Sequence, residues 1–556
     1  MSEEIDFKHP HVAYFSMEIG IDSEIPTYSG GLGVLAGDTL RSCADLKVPV
    51  IGITLLYEKG YFKQRIDENG NQIEEDRVWN PSDHLQKLPN IINVRIEGRD
   101  VKVGCWLYRL QGISGNTNYI IFLDTDLEGN SEYDKTITHH LYGNDKRYRL
   151  AQEIILGIGG TRMLENLGCE LEKYHMNEGH SGLLTLELCK RLGNIENVRK
   201  KCVFTTHTPV PAGHDQFDQT LVEGMLGDYL TDELKSEIFI DWKLNMTYLG
   251  LRFSEYVNGV AKKHGEVSRG MFPGYHIDSI TNGVHSVFWT SPPFKKLFDK
   301  HIKNWENDPF SLRYILGLPR NEIWDAHKEA KKDLIDFVNE KYNMGMDPEV
   351  FTIGFARRAT TYKRGEMLFS DLDRLRRISK DIGKIQIIYG GKAHPMDGMG
   401  KDIIKRIIEK MKSIKNEIKV CYIEDYGIEV AKKMVSGVDI WLNTPLRPKE
   451  ASGTSGMKAA HNGVPQLSVL DGWWIEGHIE NKTGWSIGKH PSVKAENDNE
   501  EDINDLYTKL EYVIVPMFYE HRDRWIEIMR TCIAVNGSFF NTHRMVQQYV
   551  LNAYFD

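Results

Sequence analysis

Seven cysteines are spread over 556 residues, at positions 43, 105, 169, 189, 202, 421 and 532, and no two form a C-x-x-C pair. An odd, scattered set excludes a disulfide scaffold and a zinc ribbon, and reads as reduced thiols in a cytoplasmic protein. No apolar run approaches the length of a spanning helix, and the first ten residues are charged and polar. The expectation is therefore a chain that is neither secreted nor inserted in a membrane. Charge of one sign is also missing: 69 Lys and Arg face 79 Asp and Glu, a net charge of −10 with both signs interspersed. Without a basic stripe there is no nucleic-acid footprint, and without a polybasic cluster no anionic-lipid one. H-E-x-x-H is absent as well. His175, Glu178 and His180 have the wrong spacing for zinc and no evident third ligand, so no metal site is assigned.

What is present is apolar content of 41% and strand-helix alternation. Roughly 150 residues per domain would give three or four domains, but two large α/β domains fit the pattern better. The first opens with a strand over 11 to 17, passes a glycine loop into a helix over Leu32 to Leu46, and returns through Val48 to Tyr57. That is a β-α-β unit. Residues 90 to 125 read as strands that decorate the sheet. Helical, proline-punctuated sequence from 286 to 348 reads as a connector, and the domain boundary is set at 288. The remainder, 289–556, alternates strands at 351 to 356, 385 to 390, 418 to 423, 438 to 443 and 466 to 470 with helices, the pattern of a doubly wound parallel sheet. An acidic run, 496 to 505, reads as a solvated loop or helix entry. The final helical segment is a candidate for packing back on the first domain.

The most informative run is 447 to 458, Arg-Pro-Lys-Glu-Ala-Ser-Gly-Thr-Ser-Gly-Met-Lys. It follows an apolar strand and leads into a short helix, so it lies where open α/β sheets bind ligands, with unpaired amides suited to phosphate. A lysine one turn into that helix, Lys458, has the chemistry to form a Schiff base with an aldehyde cofactor if its pKa is lowered. The bland alternative is a solvated surface lysine. A second strand end carries Arg357, Arg358, Lys363 and Arg364 around Tyr362, a cationic density fit for anions rather than for surface salt bridges alone. The loop Gly30-Gly31-Leu32-Gly33 brings backbone close to a ligand but misses the dinucleotide fingerprint by one residue. Glu450, Asn282, His207 and Tyr362 have the directional polarity that sugar hydroxyls require.

These motifs occur in the order found in the glycogen (α-glucan) phosphorylase family, together with Thr205-Thr206-His207-Thr208, Val257-Asn258-Gly259-Val260-Ala261, Thr281-Asn282-Gly283 and Gly390-Gly391-Lys392-Ala393. From about residue 12 to about 475 the chain resembles the compact prokaryotic branch of that family. It departs from the long members at Ser29, at Arg357-Arg358, and at Asn177-Glu178-Gly179-His180. The resemblance implies two Rossmann-like domains facing across a cleft, the GT-B glycosyltransferase fold. It also implies pyridoxal 5'-phosphate on Lys458, with Arg357, Gly453 and Thr454 near the cofactor phosphate and Trp289 and Tyr426 flanking its ring. By the same match Arg358 and Lys363 hold substrate phosphate, joined by Gly30 and Gly31. Glu450 and Ser452 lie near O3 of the glucosyl unit and Asn282 and His207 near O6, the His207 backbone facing the developing positive charge. The implied reaction is retaining phosphorolysis of an α-1,4-glucan by inorganic phosphate to glucose 1-phosphate. A retaining glycosidase would need an opposed carboxylate partner for Glu450, and none is identifiable. A nucleotide-sugar glucan synthase of the same fold is the alternative, and it has no use for Lys458. The first core strand begins close to residue 1, so activity without nucleotide activation is expected; a homo-oligomer is left open.

Overall fold

The computed structural model describes residues 5–143, 145–210, 213–492 and 498–555. The chain folds as two units, one of Met1–Phe62, Asp76–Ile280 and Met545–Asp556, the other of Lys63–Glu75 and Thr281–Arg544. The main division thus falls eight residues before the 288 read from sequence. Two short excursions, 63–75 and 545–556, have no break in composition to announce them. Of the helical C-terminal segment, only the part from Met545 onward belongs to the first unit.

The first unit is built on a nine-stranded sheet. In spatial order its strands are Asp278–Ser279, Tyr256–Gly259, Cys202–Thr205, Lys173–Asn177, Val12–Ser16, Val50–Leu55, Thr117–Asp124, Arg99–Gln111 and Gln86–Ile96. The first seven run parallel, and at the edge Arg99–Gln111 and then Gln86–Ile96 are added by antiparallel pairing. Val12–Ser16 and Val50–Leu55 are buried along their whole length. Successive side chains serve opposite faces: Ala13, Phe15, Ile51 and Ile53 pack into one core, Val12, Tyr14 and Val50 into another. A parallel strand covered on both sides reads as a continuous apolar run for this reason. The strand order reverses beside Val12–Ser16, whose next strand in sequence lies on one side and Lys173–Asn177 on the other.

The second unit carries a six-stranded sheet, all parallel, in the order Lys419–Ile423, Ile385–Gly390, Phe351–Ala356, Ile440–Asn443, Gln466–Val469, Gly484–Ile487. Numbered along the chain this is 3-2-1-4-5-6, the doubly wound arrangement, with its switch point between Phe351–Ala356 and Ile440–Asn443. The stretch read as a connector holds helices Ser286–Trp289, Pro292–His301 and Arg320–Tyr342. Of the acidic run, 496 and 497 lie outside the described residues, and a helix, Asp498–Lys509, begins directly after.

The long helix Arg320–Tyr342 is pinned to this sheet by a buried charge cluster. Lys331 Nζ donates to Asp439 Oδ2 at 2.6 Å, and His327 Nε2 lies 2.9 Å from Asp439 Oδ1. The Thr352 amide donates to the same carboxylate at 2.7 Å. Burial alone would raise the Asp439 pKa, but Lys331 and His327 more than offset this and hold it below the usual carboxylate range. Asp439→Ala leaves the Lys331 ammonium buried and unpaired, and we expect a loss of about 3–5 kcal/mol, read as a shift of the urea midpoint. An unchanged midpoint would show that Lys331 reaches water without Asp439.

Candidate functional site

At the switch point of the second unit, Arg357 follows the strand Phe351–Ala356 directly, and the 444–454 loop follows Ile440–Asn443. The two loops meet through Glu450. Arg357 Nη2 donates to its two carboxylate oxygens at 2.8 and 2.7 Å, Lys363 Nζ donates to Oε2 at 2.7 Å, and Arg357 Nη1 donates to Asn443. Burial would raise the Glu450 pKa, but the Arg357 and Lys363 charges win and hold it at about 2. A buried carboxylate ionised in this way needs both cations. The structure therefore joins into one ion cluster three residues to which the sequence reading gave separate tasks. Arg358, next to Arg357, is exposed, and Tyr362 is half-buried.

The backbone beneath Arg357 is constrained. Gly391 has φ +132°, and a Cβ there would lie 1.9 Å from the Arg357 carbonyl oxygen. The hairpin Lys63–Ile66 and Gln72–Glu75 braces the same loop: Gln64 Nε2 donates to the Gly391 oxygen at 2.9 Å, and Gln72 exchanges two 2.9 Å hydrogen bonds with the Ala393 backbone. The Asp425 amide donates to Gln64 Oε1 at 3.0 Å, which fixes the turn carrying Tyr426. Tyr426 itself packs against Gly390.

The helix Ser455–His461 begins after Gly453, whose φ is +89°, with Thr454 in the capping position. Lys458 is buried, its Nζ 3.9 Å from the centroid of the Trp289 ring. Trp289 is held there because Asn462 Nδ2 donates to its carbonyl at 2.9 Å and Asn462 Oδ1 accepts from the Ser291 amide at 2.7 Å. Lys458 is thus not the solvated lysine of the bland reading. Among the described residues, Ser452 Oγ, Asn282 Oδ1 and both amide atoms of Gln466 are buried without a hydrogen-bond partner. Orphaned buried polar atoms of this kind are satisfied by a ligand or by water. An amine out of solvent on an aromatic face, with orphaned polar groups and a helix start in the same unit, fits an aldehyde cofactor bearing a phosphate.

In the first unit the switch point carries its own polar set. His207 Nε2 lies 2.6 Å from Asn177 Oδ1, and the His207 amide donates to Glu178 Oε2 at 2.7 Å. Burial pushes the His207 imidazole down to about 3, so the ring is neutral at ordinary pH. Gly30 caps the helix Gly31–Asp45. Its amide and that of Ser29 donate to Glu18 Oε2, at 3.1 and 2.5 Å, so part of the glycine loop is already engaged by a carboxylate. A Cβ on Gly33 or Gly37 would collide with neighbouring atoms, but one on Gly30 or Gly31 would meet nothing within 4 Å. Internal packing does not demand those two glycines, and their small size keeps the helix start open.

Sequence reasoning missed Glu18 and the 63–75 hairpin. Glu18 had a signal, since it lies just beyond a strand end. The hairpin had none.

An α/β protein with buried polar groups at the strand-order reversal of the main sheet in each unit belongs to the broad class that binds small polar ligands there. Comparison with known proteins narrows the class. The sequence profile described as carbohydrate phosphorylase matches residues 20–104 and 214–486. The chain is 40% identical to a maltodextrin phosphorylase of Thermococcus litoralis over 97% of its own length and 70% of the relative's. It is 35% identical to a glycogen phosphorylase of Aquifex aeolicus, covering 99% and 86%, and 32% identical to an uncharacterised protein of Methanocaldococcus jannaschii, covering 98% and 99%. The chain belongs to the carbohydrate phosphorylase family. Every site residue named above except Asn177, Glu178, His207 and, just before the first segment, Glu18 falls within the matched segments.

Gly391→Ala forces a methyl against the Arg357 carbonyl at a φ that side chains rarely adopt. We expect about 1–3 kcal/mol of destabilisation. Thermal melts of the variant would measure it, and an unchanged melt would mean that the loop relaxes freely.

Proposed function

We propose that this chain is an α-glucan phosphorylase. It transfers the terminal glucosyl unit of an α-1,4-glucan to inorganic phosphate with retention, giving α-D-glucose 1-phosphate. The glycosidic C1–O bond breaks, the departing glucan oxygen takes a proton, and a C1–O bond to phosphate forms. The observation that carries this reading is the buried Lys458 on the Trp289 ring, on the helix that directly follows the loop presenting Glu450 to Arg357 and Lys363.

We assign Lys458 to covalent attachment of pyridoxal 5'-phosphate, Trp289 and Tyr426 to its ring, and Arg357, Gly453 and Thr454 to its phosphate. The chemistry the group supplies when bound is proton exchange through its 5'-phosphate. A nucleotide-sugar synthase would have no use for a lysine buried in this way. Arg358 and Lys363 are assigned to substrate phosphate, and Lys363 also supports the carboxylate of Glu450. Glu450, Ser452, Asn282 and Tyr362 are assigned to the glucosyl unit, an assignment supported by the orphaned Ser452 and Asn282 oxygens. For the first unit, the assignment of Gly30 and Gly31 to phosphate is supported by the lack of side-chain bulk at that helix start, although the Gly30 amide is engaged by Glu18, and neutral His207 suits hydrogen bonding to a hydroxyl.

Lys458→Ala should abolish the pyridoxal content, expected at one per chain in the parent, measured by absorbance and by peptide mapping after borohydride trapping. Label on another lysine would refute the assignment. Lys363→Ala removes a charge-assisted contact worth roughly 1.5–3 kcal/mol, or about ten- to a hundredfold in phosphate-dependent turnover. Arg358→Ala should weaken phosphate in a similar way while leaving the Glu450 cluster whole. Assays of glucose 1-phosphate formation with and without phosphate decide these points, and phosphate-independent turnover would overturn the function.

A further inference from the structure

The Glu450 loop is held from below by a turn to which nothing so far gives a role. Asp471 follows the strand Gln466–Val469 closely and is buried at 3% exposure. Its Oδ2 accepts from the Glu450 amide at 2.8 Å, and its Oδ1 accepts from the Gly472 amide at 2.9 Å. The Trp473 amide donates to the Ser452 carbonyl at 3.0 Å. Gly472 stands at φ +54°, and a Cβ there would lie 2.4 Å from the same Ser452 oxygen, so only glycine lets the two strands of chain approach this closely. Both ends of the segment 450–452, which includes Glu450 and Ser452, are thus fastened to 471–473.

We propose that Asp471 is a positioning residue of this site: with Gly472 and Trp473 it clasps residues 450–452 and so presents Glu450 to Arg357, Lys363 and the sugar. This deepens the phosphorylase reading and rests on it. The clasp requires two acceptor oxygens a short side chain apart, each taking one backbone N–H. Among side chains of this length only ionised aspartate supplies both, because asparagine and protonated aspartic acid turn one end into a donor or a poor acceptor. Burial, opposed by the two amide hydrogen bonds and Lys363 and reinforced by the nearby Glu450 charge, pushes the Asp471 carboxyl up to about 7. The clasp is therefore complete above that pH and weakens below it, while Glu450, held at about 2, stays ionised throughout. For stability the sign is opposite. An unfolded chain releases this proton near 4 and the folded chain near 7, so ionised Asp471 costs the fold stability at neutral pH. That cost sets a residue kept for presenting Glu450 apart from one kept for stability.

The test compares the holoenzyme with Asp471→Asn in glucose 1-phosphate formation from maltooligosaccharide across pH 5.5 to 8.5, with pyridoxal content measured on the same samples. Substrate phosphate titrates in the same range, but the ratio of the two proteins' kcat/KM cancels it. The ionised fraction of a group titrating near 7 changes about thirtyfold over that span, so the ratio should rise with pH, by up to a factor of that order, at equal cofactor content. A ratio independent of pH would overturn the proposal and leave Asp471 merely structural, as would equal activities. If Asp471→Asn does not fold, Gly472→Ala decides: it should lower kcat/KM at least tenfold at pH 8 with cofactor retained, and an unchanged value overturns the clasp. A parent protein with no phosphate-dependent turnover would instead remove the phosphorylase reading, and this inference with it.

Discussion

Two parallel strands that touch, but whose onward connections wind to opposite sides of the sheet, leave their carboxyl ends uncovered by either crossover. In the second unit those strands are Phe351–Ala356 and Ile440–Asn443. Each feature of the site there follows from that gap. Arg357 enters it from one strand and Glu450 from the loop after the other. The low dielectric of a buried carboxylate draws Lys363 in to complete the charge balance. The first unit repeats the logic at Val12–Ser16 and Lys173–Asn177, with Glu18, Asn177 and Glu178 at the uncovered ends.

Electrostatics then sorts the titratable groups by environment. Glu450 is flanked by two cations and stays ionised, whereas Asp471, held by two amide hydrogen bonds, is pushed toward neutrality by its burial. His207 lies under enough protein to remain uncharged. Two carboxyl groups with opposite tendencies, tied through one backbone amide, give this unit a division of labour that residue type alone would not suggest.

Much of this was legible in the sequence. The strands at 351–356 and 385–390 were readable because fully buried parallel strands are unbroken apolar runs, and the 447–458 run announced its loop through glycine and serine around a lone lysine. The glycine loop was read as bringing backbone close to a ligand. The structure shows the Gly30 amide engaged by Glu18, twelve residues away, a pairing with no local signature. Nor could spacing show that Arg357, Lys363 and Glu450, up to 93 residues apart, share one cluster. Asp471 stayed hidden because an aspartate before a glycine reads as an ordinary turn.

The hairpin of residues 63–75 has a consequence for how the molecule can be taken apart. It lies within the sequence of one unit and folds with the other, where Gln64 and Gln72 satisfy the backbone of Gly391 and Ala393. No single cut in the chain yields an intact second unit. A fragment starting at 281 would lack the side chains that cap those buried groups. During synthesis, thirteen residues made early must wait for partners made more than three hundred positions later, as the 327-residue separation of Gln64 and Gly391 shows. Contacts of such sequence separation slow folding, because the loop must close before they are rewarded. The hairpin therefore cannot reach its final form until the loop at 391–393 has been made.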